Sequence, residues 1–169
     1  MREAVCLCKN TGRDGVVMDD TRSDEKYAGI RLGNQLCFPL YACAKELVRQ
    51  YRKPLEALNL TYTQYLVMMA LWEHGGMTEG ELGQRVRLDS GTLTPLLKRL
   101  EKSGYITRAR PAGNERKLFL SLTEAGEALK EKALEVPPAM QGCINLPEKE
   151  LRQLRDLLNK ALSQMDAAI

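Results

Sequence analysis

Between residues 34 and 58 apolar side chains recur at alternating spacings of four and three, at Cys37, Tyr41, Ala44, Val48, Tyr51 and Leu55. That spacing predicts one long helix with a single apolar stripe. Thr61 with Gln64, and Thr78 with Glu81, have the capping-box spacing, so further helices are expected through YLVMMALWEHGG, ending at Gly75-Gly76, and through GELGQRVRL. A hydroxyl-rich helix follows. It should begin near Asp89 or Ser90, where short side chains can accept from free backbone N–H groups, and stop at Gly104, with a slight kink at Pro95. Leu118, Leu120 and Leu122 alternate with Lys117, Phe119 and Ser121, the mark of a strand with one buried face. The segment YITRAR supplies a strand before it, with a turn at 111–114 between them. After Thr123 a helix should run to about Val136 and break at Pro137-Pro138. A last helix opens at Pro147 and carries Leu151, Leu154, Leu157, Leu158, Leu162 and Met165 on one side. Residues 1–33 show no sustained periodicity and read as a flexible or loosely packed arm.

The elements in that order give a mainly α fold with a small β-wing, a winged helix-turn-helix. One domain spans 34–169, in which 61–123 is the reading head and 34–58 and 124–169 are the flanking helices. The stripes on the first and last helices are too long for one small module to bury. They are expected to meet the same stripes of a second copy, giving a two-fold homodimer.

Charge sharpens this picture when it is taken by region. The chain is only +3 overall, but residues 85–117 hold nine basic and three acidic side chains, which makes that segment +6 and the remainder −3. A local positive field of this kind attracts a polyanion. The expected partner is double-stranded DNA carrying a pseudo-palindromic operator, with half-sites about 10 bp apart. Ser90, Thr92, Thr94, Lys98 and Arg99 on the hydroxyl-rich helix, with Arg108, Arg110, Arg116 and Lys117 on the wing, are the candidate contacts.

Several classes fall away. The longest apolar run, Tyr65 to Trp72, is eight residues, against the roughly 20 a membrane-spanning helix needs. The N-terminus has no continuous apolar core of the secretory kind, so the expected location is cytoplasmic, where thiols stay reduced. Five cysteines, an odd number, argue against a static disulfide framework. No metal or cofactor is expected. Cys6 and Cys8 are too closely spaced for a zinc pair, and His74 is the only histidine. Nor is there a Cys/His/Asp arrangement suited to a thiol enzyme.

The segments NQLCFPLYA (34–42), LTYTQYLVMMALWE (60–73), LDSGTLTPLLKRLEKSGYITR (88–108) and ERKLFLSLTEAG (115–126) resemble the MarR-type winged-helix repressors and, within them, the organic-hydroperoxide sensors called OhrR. The resemblance covers about residues 34–135. It implies a repressor that releases its operator when an organic hydroperoxide oxidises a reactive cysteine. The matching cysteine is Cys37, near the start of the first helix, where free N–H groups and the helix dipole favour a thiolate, the form that reacts with peroxide. Tyr51 and Tyr62 match the tyrosines that hydrogen-bond it, and Tyr41, one turn from Cys37, could line the same pocket. Tyr51 is fourteen residues beyond Cys37, hence about 21 Å along the helix, so only an antiparallel partner could bring it there. Arg116 matches the minor-groove arginine of the wing.

Members of this branch come in a one-cysteine and a two-cysteine type. Cys143, in the loop-like QGCINLPE, matches the resolving cysteine of the second and would pair with Cys37 of the other subunit. Cys43, about 120° round the helix from Cys37, and Cys6 or Cys8 on the arm are the competing resolvers. The alternative function is a MarR-type regulator released by a small aromatic ligand in the same cleft.

Overall fold

The computed structural model describes residues 26–110 and 117–167; Cys6, Cys8, most of the expected arm, the turn at 111–114 and Arg116 lie outside the described residues. The chain divides into two compact units, one up to Arg49 and one from Gln50 onward.

In the first unit the chain makes two short 3-10 turns, Ala28–Ile30 and Leu32–Asn34. Asn34 Nδ2 donates to the Ala28 carbonyl at 2.8 Å, and Gln35 Nε2 donates to the Gly29 carbonyl. Helix α1, Cys37–Glu56, starts at the first residue of its apolar stripe, three residues into the expected segment 34–58, because Leu32–Asn34 form the second of these turns. No described residue up to Arg49 is buried.

The second unit holds the core. Helix α2 (Tyr62–His74) opens on a complete capping box: the Gln64 backbone N–H donates to Thr61 Oγ1, and the Gln64 side chain accepts from the Thr61 backbone N–H at 2.8 Å. Helix α3 (Glu79–Val86) repeats the device with Thr78 and Glu81. Both boxes lie where the sequence spacing puts them, since four consecutive residues suffice to build one. Helix α4 (Ser90–Lys102) is capped by Asp89 and is followed by Gly104 at φ +76°. Pro95 lies inside it.

Strands β1 (Met77–Thr78), β2 (Ile106–Ala109) and β3 (Phe119–Leu122) form an antiparallel sheet in the order β1-β3-β2. Leu120, fully buried, is the central residue, facing Met77 on one side and Arg108 on the other. The third strand, β1, is an addition to the two-stranded wing expected from sequence.

Helix α5 (Glu124–Ala133) ends earlier than its pattern suggests. Pro137 and Pro138 do not break it; they lie within the first turn of a separate short helix, α6 (Val136–Ala139). A proline there loses no bond, because first-turn N–H groups have no helical acceptor. Helix α7 (Glu148–Asp166) then opens after Pro147 as expected.

The core of this unit is built from Leu55, Val67, Met68, Leu71, Leu82, Leu93, Leu97, Leu100, Ile106 and Leu120, and no charged or polar side chain is buried among the described residues. One close approach requires a glycine: a Cβ on Gly126, in the first turn of α5, would collide with the Tyr105 carbonyl oxygen. The Gly126 carbonyl also accepts the Trp72 indole N–H at 2.9 Å, which ties α2 to α5.

Candidate functional site

Helices α3 and α4 and the wing strands enclose an open cleft of about 1360 Å³. Six of the nine basic or hydroxyl residues singled out from the sequence line it: Ser90, Thr94, Lys98, Arg108, Arg110 and Lys117. Thr92 and Arg99 are exposed on α4 but do not line the cleft. Arg116 lies outside the described residues. Sequence reasoning missed the contribution of α3, which adds Glu79, Gln84 and Arg87 to the walls. Their signal was their position just ahead of the hydroxyl-rich helix in a two-helix reading head.

Several of these groups are already engaged. Asp89 caps α4, accepting from the Thr92 backbone N–H and from Thr92 Oγ1, both at 2.9 Å. The Thr92 hydroxyl holds its carboxyl below the usual aspartate value. Thr94 Oγ1 donates to Glu79 Oε1 at 2.6 Å, bridging α4 to the start of α3. Arg108 spends Nε and one terminal nitrogen on Glu101, at 2.9 and 2.7 Å, and is mostly covered. Arg87 takes a left-handed conformation (φ 54°) at the end of α3 and pairs through both terminal nitrogens with the Asp166 carboxylate at the end of α7. That pairing raises the arginine and lowers the aspartate. Lys98, Arg110 and Lys117 keep their charges toward the cleft. These are the cations best suited to phosphate.

A second cluster lies where α1 ends and α2 begins. The rings of Tyr51 and Tyr62 are 4.8 Å apart, and Tyr65 stands 6.2 Å from Tyr51. Burial pushes the Tyr51 hydroxyl above its ordinary value, and the neighbouring Tyr62, Tyr65 and Cys143 add to the shift. Cys143, half-buried in the segment between α6 and α7, is thus near enough to Tyr51 to add to that shift. Tyr65 was not anticipated as part of this group. It follows Tyr62 by three residues, one helical turn, and is buried.

Cys37 is the first residue of α1 and is exposed. Helix-start N–H groups lack helical acceptors; that of Phe38 turns back to the Gln35 carbonyl at 3.3 Å. Tyr41 is also exposed, with Lys45 Nζ 5.7 Å from its ring centre. Both belong to the first unit, and the tyrosine cluster belongs to the second. Cys43 is exposed on α1. Among the described residues no three His, Cys, Asp or Glu side chains come together as a metal site, and no helix is long and apolar enough to cross a membrane.

Comparison with known proteins adds a consistent set of likenesses. The pattern of the MarR family matches residues 60–118. The organic hydroperoxide resistance transcriptional regulator of Bacillus subtilis (strain 168) is 44% identical over 142 residues, which cover 84% of this chain and 97% of that protein. Two structures of AbfR, a protein known from Staphylococcus epidermidis, are also similar. Reduced AbfR bound to DNA matches with a TM-score of 0.67 at 37% identity, covering 84% of this chain and 99% of the other. Disulfide-formed AbfR matches with a TM-score of 0.55 at 34% identity, covering 88% and 99%.

Proposed function

The chain belongs to the MarR family of transcriptional regulators, and on that premise we propose that it holds an operator as a homodimer and releases it when an organic hydroperoxide oxidises Cys37. The observation that carries this reading is Cys37 itself, an exposed thiol on the first residue of a helix, in a chain 44% identical to a hydroperoxide resistance regulator. Its thiolate attacks the terminal oxygen of ROOH; an S–O bond forms as the O–O bond breaks, the sulfur becomes a sulfenic acid, and the departing alkoxide takes a proton to become ROH.

In the second step the thiol of Cys143 from the other subunit attacks the sulfenic sulfur, forming a disulfide and expelling water. Two features support the choice of Cys143. It lies near enough to act electrostatically on Tyr51, a tyrosine assigned to the Cys37 pocket by family likeness, and AbfR, 34% identical, is known in a disulfide form. Reduced AbfR binds DNA, and the basic cleft between α4 and the wing is the surface assigned that task here. Lys98, Arg99, Arg110 and Lys117 take phosphates, Arg116 is the wing's minor-groove arginine by family likeness, and Ser90 and Thr94 face the bases. The work is done by binding and release rather than turnover, and the expected location is the cytoplasm.

The test is mass spectrometry after one equivalent of cumene hydroperoxide, with DNA release followed in parallel. Wild type gains one oxygen and then a covalent dimer on a non-reducing gel. Cys37→Ser binds DNA and keeps it under peroxide. Cys143→Ser forms the sulfenic acid but not the Cys37-linked dimer. Release of Cys37→Ser by peroxide as readily as wild type overturns the sensor assignment. Release of wild type by salicylate, with no change in mass, would favour a regulator controlled by an aromatic ligand.

A further inference from the structure

We propose that the recognition helix reads thymine through a side-chain methyl group, with Thr94 as the reading residue and Glu79 as the residue that positions it. The inference rests on the DNA-binding reading above and adds to it the base feature that is read. A threonine hydroxyl can in general donate to N7, O6 or O4 on a base edge, and the threonine methyl can pack on the C5-methyl of thymine. In this cleft the first option is closed. The Thr94 proton is committed to Glu79 Oε1 at 2.6 Å, on a side chain that lines the same cleft. The Thr92 proton is committed in the same way to Asp89.

Between Ser90 and Lys98 the positions of α4 not turned into the core are Gly91, Thr92, Thr94 and Pro95. With the Thr92 and Thr94 protons both engaged, this strip offers no side-chain donor, only the threonine methyls and the proline ring. An apolar strip flanked by Ser90 and Lys98 suits a thymine methyl in the major groove. The anchored Thr94 oxygen can still accept, from adenine N6 or cytosine N4, and that rival is separable by experiment.

The test uses the full-length reduced protein and a duplex it selects from a random-sequence library. Each thymine of the selected site is replaced singly by deoxyuridine, which removes the methyl and nothing else, and affinity is read by fluorescence anisotropy at fixed salt. At least one thymine per half-site should lose about fourfold, the effect of one buried methyl-sized group. Thr94→Val keeps a methyl and should retain both affinity and the preference for thymine over uracil. Thr94→Ser keeps the hydroxyl and should bind the two duplexes equally. Glu79→Gln still accepts from Thr94 and should behave as wild type, whereas Glu79→Ala frees the threonine and should narrow the preference. Sequence-specific binding indifferent to uracil at every position overturns this inference alone. So does loss of binding in Thr94→Val with the thymine preference intact in Thr94→Ser. Failure to select any duplex overturns the DNA-binding reading as well.

Discussion

Helices α4 and α7 have the same kind of sequence, leucines at three- and four-residue spacings among charges, yet they end in opposite conditions. In α4 the stripe is closed within the chain: Leu93, Leu97 and Leu100 are at most 1% exposed, packed beneath a face that leaves Ser90 and Lys98 outward. In α7 none of the residues is buried, and Leu157 and Met165 are 65% and 62% exposed. The difference teaches that periodicity records a face needing cover without naming what covers it. For α4 the cover is the rest of the second unit. For α7, on the proposed reading, it is a second copy of the chain, since a stripe of this length is not left to water.

That contrast can be broken in graded steps. Leu97→Ala should cost about 2–5 kcal/mol, a buried leucine replaced by a cavity, with a urea midpoint that falls by the same amount at every protein concentration. Leu158→Ala in α7 should cost about 1.5–3 kcal/mol per copy, but in assembly. Sedimentation should show dissociation at concentrations where wild type stays paired, and the melting temperature should become more dependent on concentration. A Leu158→Ala protein with wild-type mass at all dilutions would remove α7 from the interface. Gly126→Ala should cost about 1–3 kcal/mol by overpacking against the Tyr105 carbonyl, again at every concentration, as thermal melts would register.

The smallest effect is electrostatic. Asp89 at the start of α4 and Asp166 at the end of α7 both have carboxyls held below the ordinary aspartate value, through Thr92 and Arg87 respectively. What they contribute is therefore present above about pH 3.9 and is lost as pH falls through the lower folded values. Asp89→Asn, which keeps a competent cap, should flatten the acid limb of a melting-temperature profile between pH 5 and 2. Asp166→Asn should flatten it less, because an exposed ion pair is screened by solvent and salt.

What could be read in advance follows the reach of each interaction. The two capping boxes, the cap at Asp89 and the opening of α7 after Pro147 are local, and they stand where the spacing puts them. Strand β1 was not legible. Met77 and Thr78 are too few to show an alternation, and they become a strand only by pairing with Leu120 and Phe119, more than forty residues away. The prolines at 137 and 138 misled because a residue that ends a helix interior is equally fit to begin one. Most of the cleft was legible from charge and hydroxyl content. The engagement of Thr94 by Glu79 was not, since it depends on how α3 crosses α4. Tyr65 and Cys143 join Tyr51 only once three separate segments converge.

Trp72 is the only tryptophan in the chain. Its indole is fastened to the first turn of α5, its own carbonyl accepts from Lys130 at 3.3 Å, and its ring stands 6.3 Å from Tyr65. The protein thus carries a single tryptophan emitter at the joint between its reading head and the segment leading to Cys143, with a tyrosine close enough to pass excitation to it. Any rearrangement that loosens α2 from α5 would register as a change in emission wavelength and lifetime without a label. The order of events after oxidation could then be timed optically in the unmodified chain.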